Sequence, residues 1–594
     1  MLIEAALVVA AIALLLPWFS VLASHDAGRE GRFAGAAVAG HPVTSPLASP
    51  PARVEARADR HAAFDGVDKD AAMRALLRTA GWQWAGWMLL GLLLLQTSRR
   101  PNAAVLGVAL ALAAWALAAW TGRVPWPLSA GHALTLARGA GWLAPPPAFV
   151  TTMLGVAVAL VGARPWLARP LATGAQAPAS MLAYPGLVLL TGIGWLVLLD
   201  LSANGPPGNR YLALYHHGHL WLGMTTLTLV AFLRAPIGRA LMRTLSYIDV
   251  WAERASLRIG SAGSMAVAIA ATTLLVALVG TLLTNVRQLT SEIGRLWLIV
   301  GAAWFFFLRG TPLTERIARS GTSLASLVRY VRPLLFVVGV LVGAMIVTRD
   351  MGPLLIAVYG AGAFVAASVA MWAYQRRGAK AVAYVLAVVL FIGWIVAVTA
   401  TLFRVAALDE VAAARLENLA APLASANDQL ALVTWFQRAA PANGFGVGAV
   451  PWCGFGIAAG CAGVPAQIQS DYTFTALVGT FGTTAAWALT LGVAVWLHLV
   501  IARHGKATSG EPRFVRRGPR RVLDDQALLS WICVTWVVLA LCQLAVTVAG
   551  NLAVIPLTGV TFPFVSFGMT SLVLNMAMLG LALNVDAGRG GAGG

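Results

Sequence analysis

The sequence predicts an all-α polytopic membrane protein, and three observations carry that prediction. Of 594 residues, 59% are hydrophobic and only 11% are charged. Apolar runs recur near the roughly 20 residues a helix needs to cross a bilayer core of about 30 Å. Between those runs the arginines gather in short clusters, the pattern of topology determinants rather than of a polar domain. The formal charge of +19 and the pI near 11 therefore do not point to a nucleic-acid partner, which would need a basic face on a folded polar surface. Lysine occurs only at Lys69, Lys380 and Lys506.

In chain order, the apolar runs fall at about 2–22, 81–96, 103–120, 149–163, 184–201, 220–233, 265–283, 293–308, 334–347, 354–374, 381–402, 475–501, 528–548 and 567–583. They imply about fourteen transmembrane helices. Every second connection is arginine-rich: Arg99 and Arg100; Arg164 and Arg169; Arg234 to Arg258; Arg316 to Arg332; Arg376 and Arg377; and Arg503 to Arg521. The positive-inside rule puts those six connections and both termini in the cytoplasm. A large outward loop then covers 403–474. The first run ends in Val21-Leu22-Ala23, which resembles a signal-peptide cleavage site. Its leading residues carry Glu4 and no lysine or arginine, which favours a retained anchor. The stretch 25–79 mixes charges with Pro, Ala and Gly and has little periodicity, so it reads as a flexible outward loop.

Two of the four cysteines, Cys453 and Cys461, lie eight positions apart in the outward loop. An oxidising compartment there makes a local disulfide the expectation. Cys533 and Cys542 fall inside an apolar run, where small hydrophobes pack, and the four together do not suggest a metal site. The cluster Tyr215-His216-His217-Gly218-His219 has close histidines but no local carboxylate or cysteine, so interfacial histidines are expected rather than metal ligands. The C-terminal stretch GNLAVIPLTGVTFPFVSFGMTS breaks an apolar run with Pro556, Gly559, Pro563 and Gly568. Such backbone inside a membrane needs protein or a wet cavity around it. A cavity-lining re-entrant turn and a plain helix hairpin with Pro/Gly caps both satisfy this.

That stretch also resembles the C-terminal signature of the SEDS family, the FtsW/RodA/SpoVE group. Pro556, Thr558, Gly559, Pro563, Phe564, Ser566, Gly568 and Ser571 match it, and Met569 replaces a second family glycine. Other family signatures follow in order. TSEIGR at 290–295 resembles P-S-E-x-x-K and keeps Ser291 and Glu292, with Arg295 for lysine. TRDMG at 348–352 resembles Q-P-D-L-G and keeps Asp350. RLENLAAP resembles the family's arginine segment through Arg415, and Gln429 with the run Gly444 to Gly448 resembles its Y-Q and Gly-rich segment. SDYTFTALVGTFG at 470–482 places Asp471 on the family's essential aspartate, while Gly479 and Thr480 stand where the family has an acidic pair. Read without the family, an aspartate just before a helix is also an ordinary N-cap.

The resemblance spans about 184–583 and implies a ten-helix core over 181–585. Residues 1–180 are then an extension with about four helices, and 586–594 a Gly-rich cytoplasmic tail. It further implies a peptidoglycan glycosyltransferase of the bacterial cytoplasmic membrane, polymerising lipid II at the outer face for elongation or division beside a class B penicillin-binding protein. In that role Asp471 is the catalytic base. Ser291, Glu292, Arg295, Asp350, Arg415, Gln429, Thr558, Gly559, Pro563, Ser566 and Gly568 line the substrate site. A divalent cation, magnesium or manganese, is compatible with a pyrophosphate leaving group, although the sequence shows no complete ligand set. A silent scaffold or lipid-linked sugar transporter, and a polymerase or ligase of another lipid-linked glycan, remain as alternatives.

Overall fold

In a computed structural model, the residues described are 180–205, 209, 211–256, 295–307, 355–366, 385–401, 429–452, 467–501, 514–523, 525–555 and 559–582, apart from a few positions inside these stretches. The expected extension 1–180, its loop 25–79, the tail 586–594, Ser291, Glu292, Asp350, Arg415, Thr558, Cys453 and Cys461 lie outside the described residues, Ser180 alone excepted.

The labelled elements are α1 (Ser180–Asn204), α2 (Leu212–Phe232), α3 (Arg234–Ser256), α4 (Gln429–Ala439), α5 (Thr473–Phe481), α6 (Thr483–Ile501), β1 (Phe514–Arg517), β2 (Arg520–Leu523), α7 (Asp525–Asn551) and α8 (Met569–Ala582). Shorter apolar helices occupy Leu298–Phe307 and Val389–Val398. Among the described residues three helical stretches are long and apolar enough to cross a membrane: Gly186–Ala203, Thr483–Val500 and Asp525–Asn551. The bent pair α2 and α3 supplies a fourth if it counts as one span. The two strands form an antiparallel ladder inside the arginine-rich connection, with Val515 opposite Val522 and Arg516 opposite Arg521.

The chain divides into two compact units. The first takes α1, α2 to Ala231, residues 420–496 and the chain from Thr561 onward. Its centre is α1, which is mostly apolar all round and almost wholly buried over Gly186–Ala203, with Thr191, Asp200 and Ser202 buried among the apolar side chains. Close approach is achieved with glycine. A Cβ on Gly186 would run into the Trp496 indole, one on Gly223 into Met576 Sδ, and one on Gly580 would lie 3.3 Å from the Ala231 nitrogen. Small residues at such crossings let helix backbones meet where lipid gives no hydrophobic drive to associate. The connection from α1 to α2 is tied by the Ala213 N–H, which donates to Ser202 Oγ at 3.0 Å.

The second unit holds residues 232–419 and 497–560. The arginine-rich connection after α2 proves to be the helix α3. It exposes Arg239, Arg243 and Tyr247 and buries Gly238, Met242 and Leu245, a spacing that puts one face against protein. That face meets α7, where a Cβ on Gly238 would lie 2.9 Å from Leu529 Cδ1 and 3.7 Å from Asp525 Cβ. Trp531 of α7 stacks on Phe306 at 5.5 Å, and the Trp394 indole N–H donates to the Val358 carbonyl at 2.9 Å. Cys533 and Cys542 are buried and outside any disulfide, packing as the small hydrophobes expected of them.

Candidate functional site around Asp471

The run expected as a single helix over 475–501 is two helices, α5 and α6, parted at Gly482. Gly482 has φ of 88°, and a Cβ there would overlap the Ala442 carbonyl oxygen. Only glycine fits that conformation and that contact without strain. The break lets the loop after α4 dock on the end of α5: the Phe445 N–H donates to the Gly479 carbonyl at 2.8 Å, and the Gly446 N–H to the Thr480 carbonyl at 3.1 Å. Gly444, Gly446 and Gly448 all have positive φ, so the Gly-rich run is a left-handed turn that brings these donors to the orphan carbonyls of a helix end.

At its other end, α5 begins with Asp471 just upstream. The N-cap is Tyr472, with no side-chain capping bond, and Asp471 stands one residue before it. Asp471 belongs to a tight turn in which the Gln467 carbonyl accepts from the backbone N–H of Ser470 at 3.0 Å and of Asp471 at 2.9 Å. Gln467 adopts φ of 67°, an uncommon conformation for a residue with a side chain. Asp471 is 8% exposed and Tyr472 2%. A nearly buried carboxylate at the head of an apolar helix is costly, and such groups concentrate at functional sites.

The stretch that breaks the apolar pattern holds this turn in place. From Gly559 to Gly568 the backbone is non-helical, and Phe562, Phe564, Val565 and Ser566 are buried, as is Pro563. A plain hairpin of two capped helices is not what forms. Thr561 to Gly568 belong to the first unit, Gly559 and Val560 to the second. The Phe567 N–H donates to the Gln469 carbonyl at 2.8 Å, while a Cβ on Gly194 of α1 would overlap the Val565 carbonyl oxygen. Irregular backbone at membrane depth survives when protein encloses it, and here α1 and the Asp471 turn do so. Phe564, with φ of 63°, spends strain to direct its ring edge-on against Trp496 at 5.2 Å.

Hydroxyls complete the link. The Phe562 N–H donates to Ser566 Oγ at 2.6 Å, Ser566 Oγ and Thr473 Oγ1 are 2.7 Å apart, and the Thr473 hydroxyl donates to the Ser470 carbonyl at 3.0 Å. Since the Thr473 proton points to that carbonyl, Ser566 is the donor of the middle bond. The relay therefore runs from Phe562 to the carbonyl immediately before Asp471. Thr561 Oγ1 donates to Ser571 Oγ at 3.0 Å, and Asn575 Nδ2 to the Ser571 carbonyl at 2.9 Å, which ties the segment to α8. On the far side of α5, Gln437 Nε2 of α4 donates to Thr475 Oγ1 at 2.7 Å.

Gly479 and Thr480 are packing positions. A Cβ on Gly479 would overlap the Phe436 ring of α4, and that ring stacks on Trp452 at 6.0 Å. Thr480 is 1% exposed, and its hydroxyl donates back to the Ala476 carbonyl at 2.8 Å. Both positions have become packing surface.

The histidine cluster lies on the other side of the same segment. His217 stacks on Trp195 at 5.0 Å. The rings of His216 and His219 lie 5.9 Å and 5.0 Å from the Phe567 ring. His216 is fully enclosed, and neither of its ring nitrogens has a hydrogen-bond partner, a condition that costs about 1–3 kcal/mol for each unsatisfied group.

Of the residues the sequence singled out, Asp471, Pro563, Ser566 and Gly568 belong to the first unit, where Ser566 reaches the turn of Asp471 through Thr473. Gln429 opens α4 of that unit. Arg295, buried, and Gly559 belong to the second. Thr473, Gln437, His216 and Phe567 were not anticipated as site residues. Nothing in sequence spacing marks Thr473, whose partner is 93 positions away. Among the described residues no group of three or more His, Cys, Asp or Glu side chains is placed to hold a metal ion.

What fold and site define is a helical protein with several helices of membrane-crossing length and a nearly buried carboxylate in a turn held by non-helical backbone. No protein-family model matches the chain, and comparison with curated proteins gives no match either.

Proposed function

We propose that the chain is a SEDS-type glycosyltransferase that polymerises lipid II at the outer face of the bacterial cytoplasmic membrane. The observation that carries the proposal is a contact. The two stretches with the most specific resemblance, 470–482 and 559–571, are hydrogen-bonded to each other through Thr473 and Ser566, and Phe567 of the second also bonds Gln469, the residue just before the first. Residues that serve one site have reason to meet in space, and these do.

In this reading the acceptor sugar hydroxyl attacks the anomeric carbon of the donor, and the bond from that carbon to the pyrophosphate oxygen breaks. The Asp471 carboxylate takes the proton of the attacking hydroxyl, and undecaprenyl pyrophosphate leaves with its electron pair. Thr473, Ser566 and the Gln467 turn fix where the carboxylate stands. Arg295 and Arg415 are assigned to charge stabilisation at the pyrophosphate, with Ser291, Glu292, Asp350, Gln429 and Thr558 lining the lipid-held substrate. A class B penicillin-binding protein of the elongation or division machinery crosslinks the product.

The test is glycan polymerisation from labelled lipid II by purified wild type and Asp471→Asn, each with the class B partner present. Asn keeps size and most hydrogen bonding but cannot take the proton, so turnover falls by roughly 10²–10⁴-fold. Equal activity removes Asp471 as the base. A second reading, a silent scaffold or a transporter of lipid-linked sugars, draws on the packing of Gly479 against Phe436. Lipid II binding or movement without polymer by the wild type selects it, and polymer made only from another lipid-linked glycan selects a polymerase or ligase of that glycan.

A further inference from the structure

The pair formed by His216 and Phe567 lies outside the chemistry assigned so far. His216 is enclosed, with two unsatisfied nitrogens. Burial of this kind is rare in folded proteins and calls for a partner that the resting arrangement does not supply. Its cover is Phe567. Phe567 is only half-buried, so it has an open side to move toward. The backbone of Phe567 is meanwhile anchored to Gln469, two residues before Asp471. A swing of the ring would thus uncover His216 and leave the turn before Asp471 in place.

The chemistry of the ring selects what would bind there. A neutral imidazole carries one donor and one acceptor on opposite edges. A phosphate oxygen only accepts and satisfies one of them. A hydroxyl both donates and accepts, and a sugar carries several.

We propose that His216 is a sugar-binding residue of the Asp471 site, concealed by the Phe567 ring and satisfied, one nitrogen each, by two hydroxyls of the lipid-linked sugar when that ring swings aside. The proposal rests on the glycosyltransferase reading for the identity of the sugar.

Two measurements on the full chain in phospholipid nanodiscs test it. The first is carbethoxylation of His216 by diethyl pyrocarbonate, read by peptide mass spectrometry. His216 stays unmodified in the wild type and becomes modified in Phe567→Ala and, more weakly, in Phe567→Leu. Equal modification of wild type and both variants, or none in any of them, overturns the cover. The second compares binding of lipid II with binding of undecaprenyl pyrophosphate, which has the same tail and pyrophosphate but no sugar. His216→Phe weakens lipid II binding by roughly tenfold, His216→Gln recovers most of the loss because an amide also donates and accepts, and neither changes binding of the sugarless lipid. Equal weakening toward both lipids, or no weakening, overturns the sugar contact while wild-type lipid II binding leaves the glycosyltransferase reading standing. A wild type that binds the sugarless lipid as tightly as lipid II overturns the sugar contact too, and one that binds neither overturns both.

Discussion

Gly194 is where α1 meets the non-helical segment, and substituting it has a consequence that can be worked from geometry. In the interior of an exposed helix, Gly→Ala stabilises by about 1 kcal/mol through propensity. At Gly194 the added Cβ overlaps the Val565 carbonyl oxygen and lies 2.8 Å from the Val565 carbonyl carbon and 3.0 Å from its Cα. These are backbone atoms, held by the Phe562 to Ser566 turn and by the Phe567 bond to Gln469, so they cannot rotate away as a side chain would. Overpacking of a rigid contact costs about 1–3 kcal/mol, which cancels the propensity gain or exceeds it by up to about 2 kcal/mol. Gly492 of α6 is the internal control, because a Cβ there meets nothing within 4 Å. Gly492→Ala should therefore melt at or above wild type. The assay is thermal unfolding of detergent-solubilised protein, followed by loss of the monodisperse size-exclusion peak, with wild type, Gly194→Ala and Gly492→Ala side by side. Gly194→Ala should melt below Gly492→Ala. A Gly194→Ala protein as stable as Gly492→Ala would refute the close approach of α1 to Val565, and with it the account of what encloses the segment.

Other expectations follow the same contacts. Thr473→Val and Ser566→Ala should each destabilise by about 1 kcal/mol, and the double variant by clearly less than the sum, read as a double-mutant cycle of denaturation midpoints. Additive effects would deny the hydroxyl relay. Restoring an acidic residue by Gly479→Glu should destabilise by about 1–3 kcal/mol through collision with Phe436, and Phe436→Ala in the same chain should recover part of that loss in a melting assay. Reporter fusions should put 403–474 outside and 503–526 inside; finding both on one side removes the proposed topology.

How much of this was legible in the sequence depended on whether the signal was local. The apolar runs that became α1 and α7 were plain because length and composition suffice. The start of α2 was placed too late: the histidines at 216, 217 and 219 look like a polar boundary, yet His216 and His217 are buried within the helix. The helix α3 was passed over as a charged connection, although Gly238, Met242 and Leu245 already stood at helical spacing. The break at Gly482 was invisible because a single glycine in an apolar run is usually tolerated, and only the Ala442 carbonyl beside it makes the residue obligatory. The resemblance pointed to Asp471 and to Ser566 separately. That they share a hydrogen-bond relay is a matter of tertiary contact, which spacing along a chain does not encode.

The groove at Gly194 also has a history within each molecule's synthesis. Helix α1 leaves the ribosome several hundred residues before Val565, which at about 5–20 residues per second is a wait of tens of seconds. During that interval Asp471 can be made and inserted, but its turn has no Phe567 to brace it and no Ser566 to complete the relay. A nascent chain stopped between Asp471 and Thr561 therefore carries the carboxylate without Ser566 and Phe567, the partners that hold its turn. The stretch from Thr561 to Gly568 is what turns Asp471 from a residue at a helix end into a residue with a fixed address.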